Sequence, residues 1–351
     1  MAVIQEAFGK NIFCENVELF VLTNSSGMEI RILNYGGIIQ SLKVPDRRGK
    51  FIDVVLGHDT AEEYTEESPH FGSITGRVAG RIAGGGFVLD GVKFHLPQNS
   101  HGNTLHGGMR GFDKRIWNTE ILTAENALKL TYLSPDGEEG FPGEVKASVI
   151  YTLTDSGELK IDYTAESTRA TPFVVTNHSY FNLAGHDSGS AMRQVLTINA
   201  DKFLPVDEQT IPYGEERAVE GTPFDFRAPR VIGERIDADD EQLRSAGGYD
   251  HTYCLNKTGA GELSFAARAI DPKSGRVLDV FTTEPGMVFY TGNFLGGTLK
   301  GKGGRPFVKR AGFCLETQHY PDSPNQPQFP DSILRPGRPY VSQTIFKFSS
   351  E

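Results

Sequence analysis

The chain has 351 residues, of which 38% are hydrophobic and 23% are charged, so it should bury a sizeable core rather than remain disordered. Its formal net charge is −10 and it has no basic run, which argues against a nucleic-acid partner. No apolar stretch approaches the roughly 20 residues that a membrane span needs. The opening MAVIQEAFGK also lacks the pattern of a signal peptide. We therefore expect no partnership with nucleic acid or membrane.

The earliest elements are predicted from alternation and capping. Period-two alternation of apolar residues over 16–45 predicts two or three strands. A short helix is predicted at Thr60–Tyr64, since a cap at 59 or 60 would be followed three residues later by glutamate. A second short helix is predicted near Asp240–Ala246. These segments are interpreted as scaffold.

Residues 71–117 are rich in glycine and contain several cationic or titratable side chains, namely Arg77, Arg81, His101 and His106. One interpretation is a polar pocket lip that hydrogen-bonds a hydroxylated ligand. The alternative is a long surface loop with ordinary exposed charges. A zinc site is less favoured, because the spacing matches no standard ligand set and no cysteine lies near.

The clearest pattern in the chain runs from Leu128 to Glu166. Three amphipathic segments joined by short turns predict an antiparallel meander with one buried face and one wet face. The chain shows no βαβ rhythm and no phosphate-cradling glycine loop at a helix start. The pattern therefore favours an all-β fold over a nucleotide-binding α/β fold.

The stretch TPFVVTNHSYFNLAG, 171–185, is predicted to be a strand that carries His178. Alternation would place His178 on the same face as Val174, Thr176 and Tyr180. Held there, the imidazole could donate a proton with a fixed tautomer. The alternative is a structural histidine satisfied by a backbone carbonyl.

A second titratable candidate, Glu316, lies in the apolar strand GFCLETQ. Burial there would raise the pKa of the carboxyl from about 4.3 towards the working pH, as a general base needs. The alternatives are an exposed edge strand and a structural ion pair. In another strand, 281–295, Phe289 and Tyr290 are candidate aromatic walls for a sugar, or plain core residues.

Seven motifs resemble those of the aldose 1-epimerase, or galactose mutarotase, family and occur in the family's order along nearly the whole chain. They are NYGG at 34–37, GRVAGRI at 76–82, LHGG at 105–108, NHSYFNLAG at 177–185, YDH at 249–251, TEPG…FYTGNF at 283–294 and LETQHYPDSPN at 315–325. The resemblance implies one domain over 1–351, a large antiparallel β-sandwich with a few short helices.

The resemblance also implies an activity: interconversion of the α and β anomers of free hexoses such as glucose and galactose, without a cofactor or a metal ion. By position, His178 would be the general acid and Glu316 the general base. The residues that would hold or line the sugar are Arg81, His106, Asp250, Tyr180 and Phe289. A small-molecule sugar is the only partner implied, and the protein would be a monomer or a homodimer.

Two positions depart from the family pattern, and both concern sugar preference. Gly80 stands where the family has asparagine, so one possible side-chain contact to the sugar is missing. Val288 stands where many members have glutamine. Neither change touches the acid–base pair.

Anomer exchange needs a base that removes the proton from O1 and an acid that protonates the ring oxygen O5. The ring then opens to the aldehyde, C1 rotates, and the reverse transfers close the ring on the other face. We expect the two groups to lie on opposite sides of the sugar, with no metal or redox cofactor required.

Three other functions remain open from the residues alone. An enzyme acting on hexose 6-phosphate would need a cationic clamp, for which Arg110, Lys114 and Arg115 are the extra candidates. A lectin would bind sugar without catalysis, since fold does not determine function. A glycosidase needs two carboxylates, which Asp250 and Glu316 could supply.

The three cysteines, Cys14, Cys254 and Cys314, are far apart, odd in number and outside any CxxC pattern. They fit a reducing compartment without a disulfide framework. The expected location is therefore the cytoplasm.

Overall fold

A computed structural model describes residues 3–66 and 69–351, and in that part of the chain it has 27 strands and two short α-helices. The strands of the first half are β1 (Ile4–Lys10), β2 (Asn16–Thr23), β3 (Glu29–Leu33), β4 (Ile39–Pro45), β5 (Phe51–Asp53), β6 (Ile74–Thr75), β7 (Arg81–Ile82), β8 (Gly86–Leu89), β9 (Val92–His95), β10 (Thr104–Leu105), β11 (Asn118–Leu122), β12 (Ala127–Ser134), β13 (Val145–Leu153) and β14 (Glu158–Ser167). The remaining strands are β15 (Thr171–Pro172), β16 (Thr176–Asn177), β17 (Val195–Ile198), β18 (Lys202–Phe203), β19 (Arg217–Ala218), β20 (Arg230–Val231), β21 (Asp250–Cys254), β22 (Ser264–Ile270), β23 (Arg276–Thr282), β24 (Gly286–Tyr290), β25 (Cys314–Gln318), β26 (Ile333–Leu334) and β27 (Tyr340–Ser350).

The largest sheet has nine strands in the order β11-β12-β13-β14-β27-β23-β22-β17-β20. Every neighbouring pair in it is antiparallel. The predicted meander is confirmed as β12, β13 and β14, which lie side by side. The C-terminal strand β27 pairs with β14 on one side and β23 on the other, so the end of the chain joins two halves of the sheet.

Two five-stranded sheets complete the framework, β1 to β5 in sequence order and β19-β18-β21-β24-β25. One continuous hydrophobic cluster contains Leu130 and Val149 of the nine-stranded sheet, Ile30 of the first small sheet, and Met287 and Phe289 of the second. The core therefore lies between the large sheet and the two smaller ones. The expected all-β sandwich is confirmed.

Both predicted helices are present. The first is α1 (Ala61–Glu66), preceded by a capping box in which Glu63 N donates to Thr60 Oγ1 while the Glu63 carboxylate accepts from Thr60 N. The second is α2 (Glu241–Ala246), whose start is capped by the carboxylate of Asp240.

The segment around His178 differs from its predicted form. It is not a continuous strand, because only Thr171–Pro172 and Thr176–Asn177 pair as β-structure. After Asn177 the backbone hydrogen-bonds to one segment after another and forms no regular strand. His178 N donates to Ser73 O, and Phe181 forms isolated β-bridges with other segments. This path buries residues 173–183 from both sides, so alternation alone did not describe it.

All three cysteines are free thiols; Cys14 is exposed, and Cys254 and Cys314 are buried. Neither helix within residues 3–66 and 69–351 has the length and apolar character needed to cross a bilayer.

Candidate active site

The second small sheet presents two rows of side chains to the candidate site. Cross-strand register aligns residues of β21, β24 and β25, and alternate residues of a strand share one face. The first row is Asp250, Tyr290 and Cys314, and the second is Thr252, Val288 and Glu316. A regular sheet therefore supplies one wall of the site.

A cavity of about 250 Å³ opens over these rows. The rest of its lining comes from loops, which contribute His70, His106, His178 and Pro321, and from Arg81 of β7. This volume lies just below the usual range for drug-sized ligands, about 300–1,000 Å³. A single monosaccharide is on that smaller scale.

His178 and Glu316 meet at the base of this cavity, with His178 Nε2 3.5 Å from Glu316 Oε1. His178 is 5% exposed and Glu316 is 3% exposed. The sequence separates the two residues widely, and the packing of the 178 loop against β25 brings them together. The two residues predicted to be acid and base are therefore neighbours.

Burial shifts the pKa values of both members of this pair against charge. Burial, followed by the nearby charge of His70, lowers the pKa of His178 to about 3. Burial, followed by the charge of Asp250, raises the pKa of Glu316 well above its usual value, while the Arg81 cation opposes that rise. Both shifts favour the uncharged form of each group, because burial penalises the imidazolium and the carboxylate alike.

His106 lies beside His178 and Glu316 and is positioned by a backbone hydrogen bond. Its Nδ1 accepts a hydrogen bond from Gly80 N at 3.2 Å. Burial, with the charges of His70 and His178, holds the pKa of His106 well below the usual value, so the ring is neutral. A neutral imidazole that accepts through Nδ1 carries its proton on Nε2, which makes His106 a hydrogen-bond donor.

Three other predicted residues also line the cavity: Arg81, Tyr180 and Asp250. The ring of Tyr180 stacks on that of His178, with centroids 5.0 Å apart. Burial raises the pKa of Asp250, and the Arg81 cation opposes that rise. The cavity therefore combines a cation, an anion and aromatic carbon, which suits a ligand with several hydroxyl groups.

Phe289 does not line this cavity, so that prediction is wrong. Phe289 follows Val288 on β24 and therefore points to the opposite face, where it is fully buried and stacks on Tyr249. The aromatic wall is its neighbour Tyr290, the other candidate from the sequence. The period of two along the strand decides between adjacent aromatic residues.

The four candidate residues of the proposed pocket lip at 71–117 do not all lie at the cavity. Arg77 is buried away from the cavity and donates to Ser134 Oγ and to the carbonyls of Pro142 and Gly143. His101 is exposed on a turn. Of the four candidates, Arg81 and His106 reach the site.

His70 is a titratable residue of the cavity that the sequence did not indicate. It lines the cavity, and its Nδ1 lies 2.9 Å from Asp113 Oδ2. Its ring lies against His106, with centroids 4.6 Å apart. His70 occurs in the segment PHFG, 69–72, which is neither helix nor strand and has no periodic sequence pattern. Its only sequence feature was a histidine close to the glycine-rich stretch.

His106, His178 and Glu316 place their donor atoms within 4.8 Å of one another. Two imidazoles and a carboxylate are ligands that transition metals accept. The positive charge of Arg81 acts on all three groups, however, and a nearby cation opposes binding of a second one. The donor set suits an acid–base pair beside a hydroxyl-binding imidazole better than a metal centre.

Known proteins resemble this chain over almost its whole length. The family model described as aldose 1-epimerase matches residues 18–347. A galactose mutarotase of Rattus norvegicus is 50% identical over 333 residues, which cover 95% of this chain and 94% of that protein. An aldose 1-epimerase of Escherichia coli K12 is 39% identical over 336 residues, which cover 95% of each chain.

The fold agrees with these similarities. The crystal structure of a galactose 1-epimerase from Lactobacillus acidophilus NCFM superimposes with a TM-score of 0.87 at 28% identity, covering 100% of this chain and 99% of that one. The sequence similarities and the fold similarity thus point to the same family. The chain belongs to the aldose 1-epimerase family.

Proposed function

We propose that this protein interconverts the α and β anomers of free hexoses such as glucose and galactose, with Glu316 as the general base and His178 as the general acid. The observation that carries the proposal is the buried His178–Glu316 pair, 3.5 Å apart, at the base of a cavity lined by Arg81, His106 and Asp250. Family membership supports the same reaction, since relatives carry the names galactose mutarotase and aldose 1-epimerase.

A single proton on the pair is sufficient for the reaction. With the proton on His178, the Glu316 carboxylate accepts the O1 proton while the imidazolium protonates O5, and the ring opens. The pair then holds its proton on Glu316 and remains neutral overall. After C1 rotates, the reverse transfers close the ring and restore the first state, so each cycle consumes no net proton.

The separation of the two groups corrects the expectation that they lie on opposite sides of the sugar. Groups 3.5 Å apart leave no room for a pyranose between them. O1 and O5 are bonded to the same carbon, however, so an adjacent acid and base can reach both oxygens from one side. The close pair therefore suits proton transfer at one acetal carbon.

The contacts of the remaining candidates favour a free sugar over a phosphorylated one. The Arg110 guanidinium stacks over the Phe13 ring at 4.3 Å, and Arg115 pairs with Glu138 at 2.9 Å. Lys114 Nζ donates to Met109 O. None of these three lines the cavity that contains His178 and Glu316, within the part of the chain described here.

We propose further that the protein works in the cytoplasm as a monomer or a homodimer. Its three free thiols support the cytoplasmic location.

Polarimetry of the purified protein tests the proposed reaction. Freshly dissolved α-glucose and α-galactose should reach anomeric equilibrium faster with the enzyme than without it, and glucose 6-phosphate should be accelerated much less. Binding of galactose without acceleration would instead indicate a sugar-binding module. Release of the aglycone from an aryl galactoside would indicate a glycosidase.

The pH dependence of kcat/KM should change when the charge of Asp250 is removed. The active pair holds one proton, so kcat/KM should fall when rising pH removes it. Asp250 is negative and helps to keep the pKa of Glu316 high. Asp250→Asn removes that charge and should move the alkaline fall of kcat/KM to lower pH, by roughly one unit. The measurement is kcat/KM against pH at constant ionic strength, after subtraction of the spontaneous rate.

Thr252→Val is the matched control, because Thr252 lines the same cavity without carrying a charge. Its alkaline fall should stay at the wild-type pH. An alkaline fall that stayed in place, or moved upward, in Asp250→Asn would contradict the assignment of the pair's proton.

A further inference from the structure

Gln318 is a buried polar residue of the cavity to which no role has yet been given. It follows Glu316 by two residues on β25 and therefore shares its face. It is 0% exposed and contributes to the cavity wall. Its carboxamide thus lies beside the proposed base, in a site for a hydroxylated ligand.

The two ends of this carboxamide differ in their partners. Gln318 Nε2 donates to His319 O at 3.2 Å, which fixes the orientation of the amide. Gln318 Oε1 is buried and has no hydrogen-bond partner within residues 3–66 and 69–351. Buried amide oxygens are nearly always paired, and leaving one unpaired destabilises the free protein. An unpaired acceptor on a residue that lines a binding cavity is explained if a ligand supplies the missing donor.

Gly80 leaves the approach to this carboxamide clear. Its φ is +75°, and a Cβ built there would lie 3.3 Å from Gln318 Nε2 and 3.2 Å from Pro321 Cβ. Any side chain at position 80 would therefore crowd the carboxamide. With glycine there, this crowding is absent.

We infer that Gln318 is a substrate-binding residue whose Oε1 accepts a hydrogen bond from a sugar hydroxyl other than O1. O1 is excluded because Glu316 acts on it in the proposed reaction, and the inference rests on that proposed function. The residue thereby helps to determine which arrangement of ring hydroxyls the enzyme prefers. Gly80 and Gln318 act together in this, since the absence of a side chain at one position makes the other accessible.

The test compares wild type with Gln318→Leu on galactose and on its 2-, 3-, 4- and 6-deoxy derivatives. Loss of one neutral hydrogen bond should lower kcat/KM for galactose by about 3- to 10-fold, mainly through KM. For one deoxy sugar the two enzymes should then have the same kcat/KM, because the hydroxyl that Gln318 binds is already absent. Equal loss on every sugar, or no loss on any, would overturn the inference.

Stability separates a binding role from a structural one. Gln318→Leu removes an unpaired buried oxygen but also the Nε2 hydrogen bond to His319 O, so the two effects oppose each other and Tm should change little. The matched control is Gln194→Leu, because Gln194 is equally buried but uses both ends of its amide, with Leu183 N and Asn182 Oδ1. That variant should lose Tm and show no dependence on any single sugar hydroxyl. A Gln318→Leu protein that lost Tm as the control does, with the same loss on all sugars, would make Gln318 structural.

Further measurements distinguish a failure of the inference about Gln318 from a failure of the proposed function. Gln318→Met, which preserves the unbranched shape, repeats the comparison if the leucine variant folds poorly. If wild type accelerates no free aldose, the proposed function fails. If wild type and Gln194→Leu are active but Gln318→Met and Gln318→Leu show no hydroxyl-specific change, the function stands and only the role of Gln318 fails.

Discussion

Glu316→Gln should lower kcat for mutarotation by about 10²–10⁴-fold, the usual contribution of a positioned proton transfer. The amide preserves the shape of the side chain and can hydrogen-bond O1, but it cannot accept the O1 proton at neutral pH. KM should therefore change little. Polarimetry of α-galactose at several concentrations measures both constants.

The loss should not arise from unfolding. Burial and the charge of Asp250 raise the pKa of Glu316, and a group whose pKa is raised on folding costs stability once the pH exceeds its unfolded value of about 4.3. Glutamine removes that cost, so the variant should be at least as stable as wild type at pH 7. Urea unfolding measures this directly.

Glu284→Gln is the matched control for a buried glutamate outside the site. Glu284 is as buried as Glu316, but it accepts hydrogen bonds from Tyr340 and pairs with His319 at 2.6 Å. Burial alone would raise the pKa of Glu284, and the charge and hydrogen bond of His319 lower it instead. This variant should lose stability and keep kcat. Near-normal kcat in Glu316→Gln would show that Glu316 is not the base.

Arg77→Met should lower the free energy of unfolding by about 3–5 kcal/mol, because it removes one partner of a buried polar network. The Arg77 guanidinium donates to Ser134 and to the carbonyls of Pro135, Pro142 and Gly143. Methionine fills similar space but leaves these buried oxygens unpaired. Urea unfolding at neutral pH measures the loss.

Arg169→Met is the matched control in the same region. Arg169 lies on the surface, its side chain is 58% exposed, and it pairs with Asp136 at 3.5 Å. Such exposed pairs contribute at most about 1 kcal/mol, so this variant should unfold nearly as wild type does. If Arg77→Met instead kept wild-type stability and lost sugar binding, Arg77 would belong to the pocket lip after all.

Several elements and residues of this protein could be predicted from local sequence pattern alone. Alternation predicted β12, β13 and β14, since each has one buried and one wet face and needs no other information. Glu316 was recognised as unusual because a carboxylate in an apolar strand is rarely exposed. Both predicted helices, the first of them from its capping residues, also agree with the observed bounds within one or two residues.

Predictions from local sequence pattern failed where a segment is not buried on one face only. The 178 segment is buried on both faces, so alternation carried no information about its path. Arg77 and Arg81 look alike in sequence, yet one holds carbonyls in the interior and the other faces the cavity. Phe289 and Tyr290 are adjacent, and only the register of β24 against β21 and β25 shows which of them faces the site.

By itself, then, the sequence determined the all-β class and, through its motifs, the family, and it singled out His178 and Glu316 as the proposed acid and base. The tertiary structure decided the distance between His178 and Glu316. The two residues are 138 positions apart in the sequence, so their distance depends on how the 178 loop packs against β25. It also decided that these two side chains adjoin each other, that His70 lies in the same cavity, and that Gln318 Oε1 has no hydrogen-bond partner among the described residues. Distances and unmet hydrogen bonds arise between segments far apart in the chain, and local sequence carries no record of them.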